Sequence, residues 1–445
     1  MASALQWACI AAFCIAPVAY LICLLGQFYV NVPFSDQWWY AHLMAADCEG
    51  RLTPAALWRQ FGDHRPVFPK LIFLTLARAS RWNHAWELAA NLVIAGAAAV
   101  LFTAQMLATS RAACHGRRAW LLPLAWLTAF SAAPAENWMW TMQTICFLPI
   151  LALAGGIFLV SDPRGGWKSL AGACACCVVA SYSLSAGMMS WPACAVALCA
   201  ARPAGRRIAP MAALCGCGAA ALGLFLVGYK SAALNSTAGA AAAPLFRIQF
   251  VLVYLGIPVV PAGWHTAAAA AGALGLAALA GASWMLLRSG RHPLALAAPY
   301  WGWATFAIAG GLLTALGRAG AGDIAAATPS RYITFSNPLW LAAACLAYFR
   351  AIDAWAAGRK TRACAASGMV VLIAALMAAA SIRGAGSMKW MHDRLAPARE
   401  ELFVLNDRQL LRNLYIDPDQ LIDEFVPLMK KHGLSVFRCG HEAGK

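Results

Sequence analysis

The sequence predicts an all-α, polytopic integral membrane protein, and three observations carry that prediction. Hydrophobic residues make up 62% of the 445-residue chain and charged residues only 12%, whereas a soluble domain carries roughly a quarter charged residues. The apolar residues gather in blocks of about 20, the length that crosses a hydrocarbon core of about 30 Å as a helix. The blocks are continuous and rich in Ala and Leu, without strand-like alternation. Lipid offers the backbone no hydrogen bonds, so only helices or closed barrels satisfy it there, and this pattern selects helices.

Taken in order, the blocks lie near 8–30, 85–108, 119–133, 143–160, 168–182, 186–201, 208–229, 264–287, 294–317, 332–350 and 363–382. With two shorter stretches, 66–79 and 246–262, they predict a helical bundle of about 11–13 transmembrane helices within residues 1–382. The first block is too long for a signal-peptide core and lacks a charged leader, so it reads as a retained first span. The 246–262 stretch contains Pro258 and Pro261; Pro breaks the helical ladder, which makes this a re-entrant or broken element. Residues 383–445 form a polar tail with Leu402, Leu405, Leu410, Leu414, Leu421, Phe425 and Leu428 at helical spacing, the pattern of a small amphipathic helical extension.

Short loops set the orientation. With the N-terminus inside, Arg111, Arg117, Arg118, Arg164, Lys168, Arg202, Arg206, Arg207, Arg288, Arg291, Arg350, Arg359, Lys360 and Arg362 fall in cytoplasmic loops, while 134–142 and 183–185 contain no Lys or Arg. That is the positive-inside bias, and it places 31–84 and the tail outside. The same bias accounts for much of the net charge of +16. No basic, aromatic-bearing soluble domain points to nucleic acid. Most of the 16 Cys lie in apolar runs as packing residues. Cys48 and Cys439 lie outside the spans, where an oxidising compartment would permit a disulfide.

Candidate chemistry gathers in the outer loops. The loop 31–84 opens with Asp36 beside Gln37, Trp38 and Trp39, and the Trp pair suits a membrane interface. Thr53 is a candidate N-cap with Pro54 at N1 of a short interfacial helix. Gly62-Asp63-His64-Arg65 then sets an acid, an imidazole and a guanidinium side by side. A carboxylate near the interface can act as a general base, and a guanidinium can grip a phosphate bidentately. The plainer alternatives are a solvated carboxylate at 36 and a structural ion pair around Asp63. Glu136 and Asn137, with Gln143 close behind, form a second polar boundary segment, and boundary acids are costly enough to favour a function. Ser181-Tyr182-Ser183-Leu184-Ser185-Ala186-Gly187 is a polar break between two apolar runs, or a simple turn. The last candidate segment runs from Arg318 through Arg331-Tyr332, with Asp323 between; Arg331 opens a later span, with snorkelling as its plain reading.

Phe34-Ser35-Asp36-Gln37-Trp38, Leu57-Trp58, Asp63-His64-Arg65, Trp82-Asn83 and Asn91 together resemble the bacterial multi-pass glycosyltransferase-like proteins of the GT-C class. Glu136-Asn137-Trp138-Met139-Trp140 with Gln143, Ser183 to Gly187 with Trp191-Pro192, and Ser330-Arg331-Tyr332 resemble further blocks of that group, so the likeness runs from about residue 30 to about 340. Where relatives have Asn-Glu-His-Arg this chain has Gly62-Asp63-His64-Arg65. Where many members carry a second acid soon after the first span, this one has none until Asp47 and Glu49.

The resemblance implies an inner-membrane enzyme with an outward-facing site, using a polyprenyl-phosphate sugar donor. The acceptor would be an extracytoplasmic glycan, lipid or protein. On this reading Asp36 and His64 are catalytic, and Arg65 and Arg331 bind the phosphate. Gln37, Trp38, Asp63, Glu136, Asn137, Gln143 and Tyr332 bind substrate. The route admits a divalent metal, but no ligand constellation demands one. Two other readings stay open: a flippase for a lipid-linked saccharide, or a scaffold of the same fold without chemistry. Acid-free spans at 208–229 and 363–382, with no visible repeat, weigh against transport.

Overall fold

The computed structural model describes residues 4–113, 118–230, 244–289 and 294–438. Among these residues the protein is helical, with one isolated bridge between Phe61 and His64 as its only β-type pairing. After α1 (Ala4–Phe28) the first loop holds α2 (Tyr40–Cys48), α3 (Pro54–Trp58) and α4 (Val67–Ser80). The bundle continues with α5 (His84–Ala113), α6 (Leu122–Ala129), α7 (Ala135–Met139), α8 (Thr144–Val160), α9 (Trp167–Ser181), α10 (Ser190–Ala201) and α11 (Ala204–Leu226). It is completed by α12 (Pro244–Gly256), α13 (His265–Ser289), α14 (Leu294–Arg318), α15 (Ile333–Ala356) and α16 (Lys360–Glu401).

Seven helices among the described residues are long and apolar enough to cross a membrane: α1, α5, α8, α11, α13, α15 and α16. This is an integral membrane bundle, with fewer full-length apolar helices than the eleven to thirteen expected. The difference is length and composition. The blocks near 168–182, 186–201 and 246–262 give helices of 15, 12 and 13 residues, and at 1.5 Å per residue these reach only about 18–23 Å. The block near 119–133 yields the eight-residue α6. The 25-residue α14 is long enough but is not among the seven.

α15 is the centre of the bundle, with every residue from Phe335 to Ala347 buried. α1, α11 and α13 lie outermost and expose Phe13, Ile15, Leu224, Leu274 and Trp284, apolar surface that suits a lipid solvent. α12 and α13 pack antiparallel at very close range. A Cβ on Gly256 would sit 1.8 Å from the Ala268 carbonyl oxygen, and one on Gly272 would sit 2.0 Å from that of Leu252. Only glycine permits that crossing, the small-residue packing typical of helices in lipid.

α16 runs unbroken for 42 residues, about 63 Å, so it passes position 382 without a break and projects well beyond a bilayer core. The chain then returns through α17 (Arg408–Leu411), α18 (Pro418–Gln420), a π-turn over Leu421–Phe425 and α19 (Val426–His432). Leu402, Leu414, Leu421 and Phe425 are fully buried, as their spacing predicts. They dock the tail on the first loop. The Ser35 N–H donates to the Leu414 carbonyl (2.7 Å) and the Ser435 N–H to that of Arg81 (2.9 Å), while Glu49 pairs with Lys431 at 2.8 Å. Cys48 is free and exposed; its suggested partner, Cys439, lies outside the described residues.

Candidate active site

The connections at 31–84, 131–143, 182–190, 227–230 and 318–332 meet at the end of the bundle that carries the tail. They enclose a cavity of about 1950 Å³. Asp36, Asp63, His64, Glu136, Gln143, Arg331 and Tyr332, all singled out in the sequence, line it. Gln37, Trp38, Arg65 and Asn137 do not.

The split between Asp36 and its neighbours is a matter of helical phase. Ser35–Trp39 forms a 3₁₀ turn, in which residues three apart eclipse. Asp36 and Trp39 therefore share the exposed face, while Gln37 and Trp38 point into the core. The turn is held from three directions. Ser35 adopts left-handed backbone (φ 52°) and is pinned by Leu414, and Trp38 packs on Phe425 with ring centroids 6.2 Å apart. Gln37 Nε2 donates to Glu87 Oε2 (2.8 Å) and Thr141 Oγ1 (3.1 Å). Desolvation by the cavity walls raises the Asp36 pKa above the ordinary carboxylate value, opposed by the nearby charges of Arg331 and Arg318.

His64 sits on a tight turn. Phe61 and His64 exchange backbone hydrogen bonds of 2.8 and 3.0 Å around Gly62 and Asp63, and Gly62 takes the positive φ (53°) that the turn needs. The Ser185 N–H donates to His64 Nδ1 at 3.3 Å, with the Ser185 hydroxyl 2.9 Å away. An accepting Nδ1 leaves the ring proton on Nε2. Burial pushes the His64 pKa from 6.5 down to about 4, against the opposing pull of Asp63, so the ring is a neutral donor at pH 7. Gly187 makes this placement feasible, because a Cβ there would lie 1.9 Å from the Ala180 carbonyl oxygen.

Arg331 is aimed by a clamp. Glu136 Oε1 accepts from Arg331 Nη1 (3.2 Å), and Glu136 Oε2 accepts from the Arg331 N–H (3.0 Å) and the Ser330 hydroxyl (3.2 Å). Asn137 Nδ2 donates to the Arg331 carbonyl (3.1 Å) and to Thr334 Oγ1 (2.7 Å). Asn137 is thus a brace behind the wall, and Glu136 both faces the cavity and positions Arg331. Tyr332 packs on Tyr254 with ring centroids 5.4 Å apart and the planes tilted by 42°. Gln143 accepts from the Cys146 thiol at 2.9 Å.

Arg65 is a correction to the sequence reading. Its guanidinium is buried and donates to the carbonyls of Phe225 (2.8 Å), Trp58 (3.1 Å) and Val227, with Trp58 and Phe225 rings against its faces. It caps the end of α11, where unsatisfied carbonyls attract a cation, and has no face turned to the cavity. Gln37 and Trp38 are corrected in the same way: both are core residues that fix the turn carrying Asp36. Asp47 and Glu49, the nearest further acids, pair with Arg78 and Lys431 on the tail side.

Lys70 and Glu87 went unread in the sequence, and Arg318 was read only as the start of the segment that runs to Arg331-Tyr332. Arg318, at the end of α14, is exposed on the cavity wall, close enough to act electrostatically on both Asp36 and His64. Its place after an apolar run was visible; that the turn folds it toward Asp36 was not. Lys70 donates to the carbonyls of Ala56 (3.1 Å), Leu57 (3.1 Å) and Arg59 (2.6 Å), and burial lowers its pKa from 10.5 to about 8. Glu87, fully buried, accepts from Gln37, Thr141 and Trp82, while its neighbour His84 reaches Ser435 of the tail at 2.8 Å.

Five Lys or Arg and three Asp or Glu line the cavity, so it favours an anion. Leu313, Leu316, Phe335 and Tyr254 supply an apolar wall beside Arg318 and Arg331. Among the described residues, no group of three or more His, Cys, Asp or Glu is arranged to hold a metal. No family model matches the chain, and no curated protein or solved structure matches it.

Proposed function

We propose that the protein is a membrane glycosyltransferase that moves a sugar from a polyprenyl-phosphate donor to an acceptor hydroxyl on the outer face of a bacterial inner membrane, in the manner of the GT-C class it resembles. One observation carries the reading: a carboxylate, Asp36, opens into the same cavity as two arginines on an apolar wall. A polyprenyl-phosphate sugar presents a group to match each: an isoprenoid chain for the apolar wall, a phosphate for the arginines and a sugar with its acceptor for the carboxylate.

The step follows from the arrangement. The acceptor oxygen attacks the anomeric carbon and forms the new glycosidic bond. The bond from that carbon to the phosphate oxygen breaks, and its electron pair leaves with the polyprenyl phosphate. Asp36 takes the acceptor proton as general base, and its raised pKa makes it a stronger one. Arg331, held by Glu136, and Arg318 neutralise the charge that grows on the departing phosphate. His64 donates from Nε2 into the same region. Displacement from the opposite face inverts the anomeric centre.

The test is transfer in proteoliposomes with a radiolabelled polyprenyl-phosphate sugar. The reading expects label in the acceptor fraction and free polyprenyl phosphate in equal amount. Movement of intact donor across the bilayer without cleavage would replace it with the flippase reading.

A further inference from the structure

We infer that Trp39 is the floor of a saccharide-binding subsite, so that the acceptor in the proposed transfer is itself a glycan. The word acceptor rests on the glycosyltransferase reading; the subsite rests on the geometry around Trp39.

Trp39 stands apart from the residue before it. Trp38 is wholly buried, whereas Trp39 keeps 43% of its surface exposed and lines the cavity. The 3₁₀ phase sets it on the same exposed face of the turn as Asp36, three residues back. The ring is held in place: Phe425 meets it edge-on at 5.5 Å and 79°, and His42 lies 6.0 Å away. A fixed ring costs little entropy when a ligand settles on it.

The surroundings are those of a hydrogen-bonding site and not of a lipid belt. His42 pairs with Glu424 of the tail at 2.9 Å, both side chains 43% exposed, and Gln60 and Asp63 line the same cavity. The exposed Trp7 and Trp284, by contrast, lie on the outermost helices α1 and α13. A pyranose suits the Trp39 setting. Its ring C–H bonds carry partial positive charge and lie over the electron-rich indole face, while its hydroxyls find carboxylate, imidazole and amide groups at the rim. The Trp39 face lies with α2 and the tail, and the apolar wall with α12 and α14. The two halves divide naturally between a water-borne sugar chain and a lipid-borne donor.

The experiment measures binding and transfer separately. Short neutral gluco-, galacto- and manno-oligosaccharides are titrated against the detergent-solubilised full-length protein by calorimetry, without donor. At least one class binds the wild type, and Trp39→Ala weakens it roughly tenfold, the value of one aromatic contact. Trp39→Phe restores part of the affinity, which a merely misfolded variant would not do. In the transfer assay Trp39→Ala raises the saccharide KM and leaves donor KM unchanged. Absence of binding by all three classes, equal affinity in wild type and Trp39→Ala, or transfer only to a sugar-free lipid would each overturn the subsite. Saccharide binding that depends on Trp39, with no transfer from any polyprenyl-phosphate sugar, would instead overturn the glycosyltransferase reading and leave the subsite standing.

Discussion

Glu87→Gln tests whether a buried network aims the site. The carboxylate lies 1% exposed and accepts from Trp82 Nε1 (3.0 Å) on one oxygen and from Gln37 Nε2 (2.8 Å) and Thr141 Oγ1 (2.7 Å) on the other. An amide has the same shape but turns one acceptor into a donor. Set toward Trp82, the new NH₂ faces the indole N–H and that bond is lost; the other two lose their charge assistance, about half their strength. A neutral amide costs less to bury than a carboxylate, which offsets part of the loss. The net destabilisation is about 3 kcal/mol. Thermal unfolding in detergent should drop on the order of 5 °C. Because Gln37 holds the turn that carries Asp36, kcat should fall more steeply than the folded fraction does, with donor KM unchanged. An unaltered midpoint together with unaltered kcat would refute the argument that Glu87 fixes this turn.

Further outcomes separate positioning residues from those that face the cavity. Arg65→Ala strips donors from three carbonyls and should destabilise by about 3 kcal/mol while donor KM stays constant, read by unfolding and kinetics in parallel. Glu136→Gln releases Arg331 and should raise donor KM roughly tenfold, worth about 1.4 kcal/mol, with little change in unfolding midpoint. Gly187→Ala drives a Cβ to 1.9 Å from the Ala180 carbonyl oxygen and should cost about 3 kcal/mol and disturb His64 through Ser185. The rate should fall on the acid side with a midpoint above that of an ordinary aspartate, since burial raises the Asp36 pKa and only the deprotonated carboxylate takes a proton. Arg318 lowers the Asp36 pKa, so Arg318→Ala should move that limb to higher pH.

The membrane class was legible because it rests on block length and composition, which need no tertiary knowledge. Local caps were legible too: Thr53 Oγ1 accepts from the Ala56 N–H at 3.3 Å, with Pro54 at the first helical position. What failed depends on partners far along the chain. Arg65 reads as a free guanidinium until Phe225 and Val227, some 160 residues on, bring it their carbonyls. Gln37 and Trp38 read as neighbours of Asp36 in space, but a 3₁₀ phase, not visible in five residues, turns them inward. Glu87 and His84 sit at the start of an apolar block, where only Thr141 and Ser435 reveal their purpose. The tail's Leu and Phe spacing predicted a packed face, but not that the face it covers is the one carrying Asp36.

The account depends most on a single proton acceptor. In proteoliposomes supplied with labelled polyprenyl-phosphate sugar and acceptor, wild type and Asp36→Asn are compared at equal inserted amounts and equal unfolding midpoints. Loss of a general base predicts a kcat lower by about 10²–10⁴-fold with donor KM nearly constant. Transfer by Asp36→Asn at the wild-type rate would contradict it.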